Sequence, residues 1–117
     1  MSSFSFPKTH RLTHRSEYEQ VRRDGMTQRG KLVMLSVMPM DDRDPWRAGF
    51  VTSGRIGGAV VRNRVRRRLR EIVRRHQYEL RQGFWFVVIA RHDAATAMYA
   101  ALEDEWLRLA RRASILL

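Results

Sequence analysis

The chain has no cysteine, which excludes a disulfide framework and cysteine-ligated zinc or iron–sulfur centres. No apolar run approaches the ~20 residues that a membrane span requires. The opening Met-Ser-Ser-Phe-Ser-Phe-Pro-Lys has no hydrophobic segment of the secretory kind, so the expected location is the cytoplasm. Acids are scarce: 12 Asp and Glu stand against 23 Lys and Arg, and Lys8 and Lys31 are the only lysines. No repeat or low-complexity linker divides the 117 residues. One domain of that length, 1–117, buries about two-thirds of its unfolded surface. A 44% hydrophobic share and three tryptophans argue against disorder.

What is abundant is arginine, and it gathers between Gly57 and His76. Val61, Val65, Leu69, Ile72, Val73 and His76 recur at spacings of three and four, which fill one stripe of a helix. Arg64, Arg66, Arg67, Arg68, Arg70, Arg74 and Arg75 occupy most of the remaining circumference, with Glu71 the only acid among them. Arg62 falls within the angular range of the stripe, but in the first turn its long side chain can leave the packing surface. A charged helix face is ordinarily balanced by acids at i,i+4 spacing. This one is not, and its like charges repel. A formal net charge of +11 and a guanidinium-rich face point to a polyanion, nucleic acid before an anionic membrane.

Along the chain, positions 1–10 read as a flexible basic lead-in carrying Phe4 and Phe6. Ser16 and Glu19 form a capping-box pattern and Gly25 suits a helix stop, so 17–24 is expected to be helical. Positions 31–38 are apolar on both alternations, as in a strand covered on both faces. Pro39 to Pro45 is a turn-forming loop with Asp41, Asp42 and Asp44. Positions 46–53 form the next strand, antiparallel to the first if the loop is a simple hairpin. Gly54, Gly57 and Gly58 precede the arginine helix. Gln82-Gly83 ends it, and 84–91 is the clearest strand, central and doubly covered. Asp93 or Thr96 is expected to cap a last helix with Met98, Leu102, Trp106, Leu109 and Ala113 on one side. The fold class is α+β: a small sheet of about four strands backed by helices, in the order α-β-β(-β)-α-β-α.

Arg47-Ala-Gly-Phe-Val-Thr-Ser-Gly-Arg-Ile-Gly-Gly-Ala-Val-Val-Arg-Asn-Arg-Val-Arg-Arg-Arg-Leu-Arg-Glu resembles the core of the bacterial ribonuclease P protein subunit. That family's pattern is a strand ending in Ser-Lys-Lys, then Ile/Val-Gly-x-Ala-Val-x-Arg-Asn-Arg, then a basic helix. The resemblance extends to Arg11-Leu12 before a short helix ending in Gly25, and to a late strand ending in Ala90-Arg91. It implies a fold in which the basic helix joins two parallel strands by a left-handed crossover, against the usual rule. It implies partnership with the catalytic RNA of ribonuclease P and with the 5′ leader of precursor tRNA; no membrane partner is expected, and no DNA partner, because the basic helix lacks the preceding helix and short turn of a helix-turn-helix. Endonucleolytic removal of the leader is then the work of magnesium ions held mainly by the RNA, with no catalytic or metal-binding residue in the protein.

By position, Arg62, Asn63, Arg64, Arg66, Arg67 and Arg70 match the motif that faces the RNA. Arg55 matches the second lysine of Ser-Lys-Lys, and Arg11 is an additional basic position. The leader is expected in a cleft between the first helix and the sheet, at Tyr18, Arg22, Val33 and Leu35. Three positions depart from the family pattern: Gly54 replaces the first lysine, Arg22 the second aromatic of the first helix, and Leu35 a frequent strand aromatic. An arginine at 22 can still stack on a base or pair with a phosphate.

Other residues carry less. His10, His14, His76 and His92 invite a general acid/base pair, but no pattern joins two of them. The three aspartates of the 39–45 loop are ordinary loop chemistry, and Glu103, Asp104 and Glu105 read as an exposed acidic turn. Phe84, Trp85 and Phe86 cannot all face inward on one strand. A non-catalytic ribosomal or other structural RNA-binding protein is the second reading that the same basic helix would serve.

Overall fold

The computed structural model describes residues 7–117. The elements are α1 (Arg15–Asp24), β1 (Met26–Arg29), β2 (Val33–Pro39), β3 (Arg47–Val51), α2 (Ala59–Arg75), β4 (Phe84–Ala90) and α3 (Tyr99–Arg112). Short 3-10 turns lie at Lys8–His10, Gly54–Ile56, Gln77–Glu79 and His92–Ala95. The expected α+β order holds, with β1 as the optional extra strand.

The four strands form one mixed sheet in the order β1-β2-β4-β3. β2 pairs antiparallel with β1 and β4, and β3 pairs parallel with β4. The second and third strands are therefore not a hairpin: β4 lies between them. Its Phe-Trp-Phe-Val-Val-Ile-Ala sequence is apolar on both alternations and takes the position covered on both sides. The 39–45 loop spans the gap. Asp41 Oδ1 accepts the Arg43 N–H at 3.0 Å, while Met40 N–H to Gly83 O (2.7 Å) and Gly83 N–H to Asp44 O (2.8 Å) fasten the loop to the start of β4.

Strand alternation sorts the side chains onto two unequal faces. Val33, Leu35, Val37, Ala48, Phe86 and Val88 join Val65, Leu69, Ile72 and Val73 of α2 and Leu102, Trp106 and Leu109 of α3 in the main core. On the other face Met38, Val87 and Ile89 pack with Leu12 and Val21, and Tyr18, Met34, Val51 and Trp85 are only partly covered. Two helices cover the first face; the ten-residue α1 covers the second.

Local details correct the expected starts of two helices. Helix α1 begins earlier than expected, because Glu17 rather than Glu19 closes its cap, accepting the Thr13 and His14 N–H groups at 2.9 Å each. Burial works to raise the Glu17 carboxyl, but those bonds and the nearby His14 and Arg47 hold it below the usual range. Helix α3 starts at Tyr99 with Met98 in the cap position, not at an Asp93 or Thr96 cap; Asp93 instead lies within the 3-10 turn His92–Ala95.

The acidic triplet is not an exposed turn. Glu105 is 4% exposed and accepts the backbone N–H groups of Lys31, Leu32 and Val33 at 3.1, 2.6 and 2.7 Å. Glu103 reaches His76 and Arg75, which leaves Asp104 as the exposed member. Successive helix positions lie 100° apart, so Glu105 turns inward beside Trp106, where buried amides need an acceptor. In the lead-in, His10 stacks on Trp46 at 4.0 Å between centroids and its Nδ1 lies 2.7 Å from Trp46 O, so that end is fastened. Phe4 and Phe6 lie outside the described residues.

Candidate nucleic-acid interface

Helix α2 is launched by a turn that requires glycine: Gly57 has φ +146°, and a Cβ there would stand 3.0 Å from Val61. No side chain caps the helix and no acid lies in its first turn; Gly58, Ala59 and Val60 are exposed. The free N–H groups and positive end of the macrodipole form an anion-attracting terminus. Arginines in the same turns oppose that dipole, so an incoming negative charge is favoured there.

The apolar stripe turns inward as expected, with Val65, Leu69, Ile72 and Val73 buried. It divides the arginines into two flanks with different fates. On one flank Arg66 Nη2 donates to Thr52 Oγ1 at 2.6 Å and Nη1 to Asn63 Oδ1 at 3.3 Å. Arg62 stays half-buried, and its Nη1 lies 3.4 Å from where a Cβ on Gly54 would stand. The guanidinium thus lies over the position where the family pattern has a lysine. Asn63, Arg67, Arg70 and Arg55 are exposed. Among the described residues the acids pair elsewhere, as in Arg47–Glu17, Arg75–Glu103 and Arg108–Glu105, and none forms an ion pair with this flank.

The other flank is committed to the protein. Arg64 Nη2 donates to Ala95 O at 3.1 Å and Arg68 Nη1 to Ala97 O at 3.2 Å. Arg75 meets Glu103 at 3.3 Å and the Tyr99 hydroxyl at 3.5 Å. Helical period explains the split: 62, 66 and 70 share one side, 64, 68 and 75 the other. Arg64, expected on the RNA-facing surface, is a half-buried link between α2 and the turn before α3.

The second half of the site is the thinly covered face under α1. The Tyr18 ring lies against Gly49, where an added Cβ would be 2.5 Å from Cε2, and its hydroxyl donates to Leu12 O at 3.4 Å. Arg22 is exposed one turn further along α1. Val33 and Leu35 do not line this cleft. Both are fully buried in the main core on the opposite face, because a one-residue change of position reverses the side of the sheet. Met34, paired with Ile89, takes their place beside half-buried Val51. Nothing local could have revealed this, since the strand is apolar on both alternations; only its pairing separates the faces. Arg11 bridges to Ala48 through its backbone at the sheet edge and its side chain is half-buried. Thr52, directly after Val51, carries the bond to Arg66, so the cleft and the arginine flank are continuous.

The histidines are dispersed. His10 lies on Trp46, His92 beside Asp93 at 3.4 Å, and His76 between Glu79 (2.6 Å) and Glu103 (2.9 Å). Among the described residues no group of three or more His, Asp or Glu converges as a metal site. No helix of the described residues is long and apolar enough to cross a membrane.

A model of the family described as ribonuclease P matches residues 6–114. The chain belongs to the ribonuclease P protein family. A ribonuclease P protein component of Roseiflexus castenholzii is 40% identical over 109 residues, covering 92% of this chain and 88% of that one. One from Dehalococcoides mccartyi is 41% identical, covering 93% and 88%. The fold matches the ribonuclease P protein of Staphylococcus aureus with a TM-score of 0.85 at 20% identity, over 94% of this chain and 100% of that one. It matches that of Thermotoga maritima with 0.77 at 25%, over 87% and 96%. The α+β class and four-stranded mixed sheet are thus those of bacterial ribonuclease P proteins.

Proposed function

We propose that this chain is the RNA-binding protein subunit of a ribonuclease P holoenzyme, and that it assists removal of the 5′ leader from precursor tRNA. The observation that carries the reading is the flank of Arg62, Asn63, Arg66, Arg67 and Arg70, which among the described residues has no acid paired to it and begins beside an uncapped helix terminus. Guanidiniums so placed bind phosphates bidentately, and Asn63 adds hydrogen bonds to sugar or base edges. Catalytic RNA lies along this flank. The leader continues from it past Arg66 and Thr52 into the cleft of Tyr18, Arg22, Met34 and Val51, where an aromatic ring and a guanidinium offer stacking surfaces for unpaired bases.

The protein's part is binding and positioning. Neutralising phosphates lowers the repulsion between two RNAs, and a single strand held in a fixed track presents the scissile bond in register. On this reading the reaction's magnesium is held mainly by the RNA. The site of action is the cytoplasm. The test is titration of a bacterial ribonuclease P RNA with the protein at increasing salt. Each phosphate contact contributes a slope of about −0.7 to −0.9 in log affinity against log salt. A total slope near zero contradicts the reading.

A further inference from the structure

Helix α2 ends at Arg75, and the surface that follows has features that the leader cleft and the arginine flank leave unused. Tyr78, in the 3-10 turn Gln77–Glu79, is 87% exposed, more than any other large hydrophobic side chain described. Its ring packs on no other aromatic group and its hydroxyl bonds to no protein group among the described residues. The turn that carries it is nonetheless rigidly tied. Glu79 N–H bonds to His76 O at 3.0 Å, Leu117 N–H to Glu79 O at 2.6 Å, and Arg81 N–H to Ile115 O at 2.8 Å. Arg81 Nε also donates to Leu116 O at 3.0 Å, which fixes a guanidinium three residues beyond the ring. The nearest acid in sequence, Glu79, is turned onto His76 Nδ1 at 2.6 Å.

A tyrosine left in water on a turn whose backbone is already held, at the end of a guanidinium-rich helix, presents a π-face with only its side-chain rotamers left to order. We propose that Tyr78 is a stacking platform for an unpaired base of the catalytic RNA, with Arg81 on the adjoining phosphate. This is a second anchor at the C-terminal end of α2, remote from the leader cleft. It rests on the reading of the chain as a ribonuclease P RNA binder. The Arg81 guanidinium, which forms no ion pair among the described residues, favours RNA over an apolar protein partner, and the flat ring selects an unpaired base over a duplex, whose bases are already stacked.

The test is binding of the full chain to a bacterial ribonuclease P RNA at one salt concentration, with Tyr78→Phe, Tyr78→Trp, Tyr78→Ala and Arg70→Ala compared. Because Tyr78 is exposed, unchanged thermal midpoints will certify folding. Stacking predicts that Phe and Trp stay within about twofold of the parent, while Ala loses about tenfold with an unchanged salt slope. The loss should vanish on a continuous RNA duplex of the same length. If Tyr78→Ala binds like the parent while Arg70→Ala is weakened, the stacking role is refuted and the RNA-binding reading stands. If the parent shows no salt-sensitive RNA binding, both fall.

Discussion

The two flanks of α2 make a quantitative prediction. Arg67 and Arg70 are exposed and form no ion pair, so each is available to neutralise one phosphate. Replacing both with alanine should reduce the magnitude of the salt slope by about 1.4 to 1.8. Over a roughly fourfold rise in salt the parent should then lose about tenfold more affinity than the double variant. Arg64 and Arg68 carry the same charge on the same helix, but their guanidiniums end on Ala95 O and Ala97 O. Arg64→Ala or Arg68→Ala should cost about 1–2 kcal/mol of folding stability and leave the slope unchanged. Fluorescence titration of labelled ribonuclease P RNA at several salt concentrations, with urea unfolding of each variant, measures both quantities. An unchanged slope in the Arg67/Arg70 variant, or a reduced one in the Arg64 or Arg68 variant, would refute the reasoning.

Three further outcomes follow from individual contacts. Glu105→Ala removes the acceptor of three backbone N–H groups and should destabilise the fold by about 2–4 kcal/mol; urea midpoints within error of the parent would contradict this. At His76 burial disfavours the proton, but the bonds to Glu79 and Glu103 outweigh it and raise the pKa above its ordinary value. The stability His76 contributes is thus fully present below about pH 6.5 and is lost as pH rises through the raised folded value. The thermal midpoint of the parent should fall across that window relative to His76→Gln, and parallel curves would be the contrary result. Gly49→Ala places a Cβ 2.5 Å from the Tyr18 ring and displaces it. Holoenzyme affinity for leader-bearing precursor should drop about fivefold or more, with leaderless tRNA unaffected; equal loss on both would argue against a leader cleft there.

What could be read from the sequence was whatever depends on local period. The alternation along 57–76 located both the buried stripe and the guanidinium face, because a helix places its faces by spacing alone. The Ile56-Gly57-x-Ala59-Val60-x-Arg62-Asn63-Arg64 string carried the family. What long-range pairing decides was not legible. The loop between β2 and β3 looks like a hairpin, and only the doubly apolar character of β4 brings that later strand between them. The same ambiguity put Val33 and Leu35, rather than Met34, in the cleft. Glu105 looked solvated because the three amides it serves are more than 70 positions away in sequence. The motif placed Arg64 with the RNA-facing residues, and the Ala95 carbonyl that its Nη2 reaches is 31 residues on.

The central claim is most directly tested by cleavage of a 5′-extended precursor tRNA at low magnesium, with a bacterial ribonuclease P RNA alone, with this protein alone, and with both. The account predicts cleavage at the mature 5′ end in the combined reaction, little with the RNA alone, and none with the protein alone. Tight, salt-sensitive RNA binding without any stimulation would contradict it and favour a structural RNA-binding role. Cleavage by the protein alone would contradict it more deeply, since it would place the chemistry on side chains that the structure leaves dispersed.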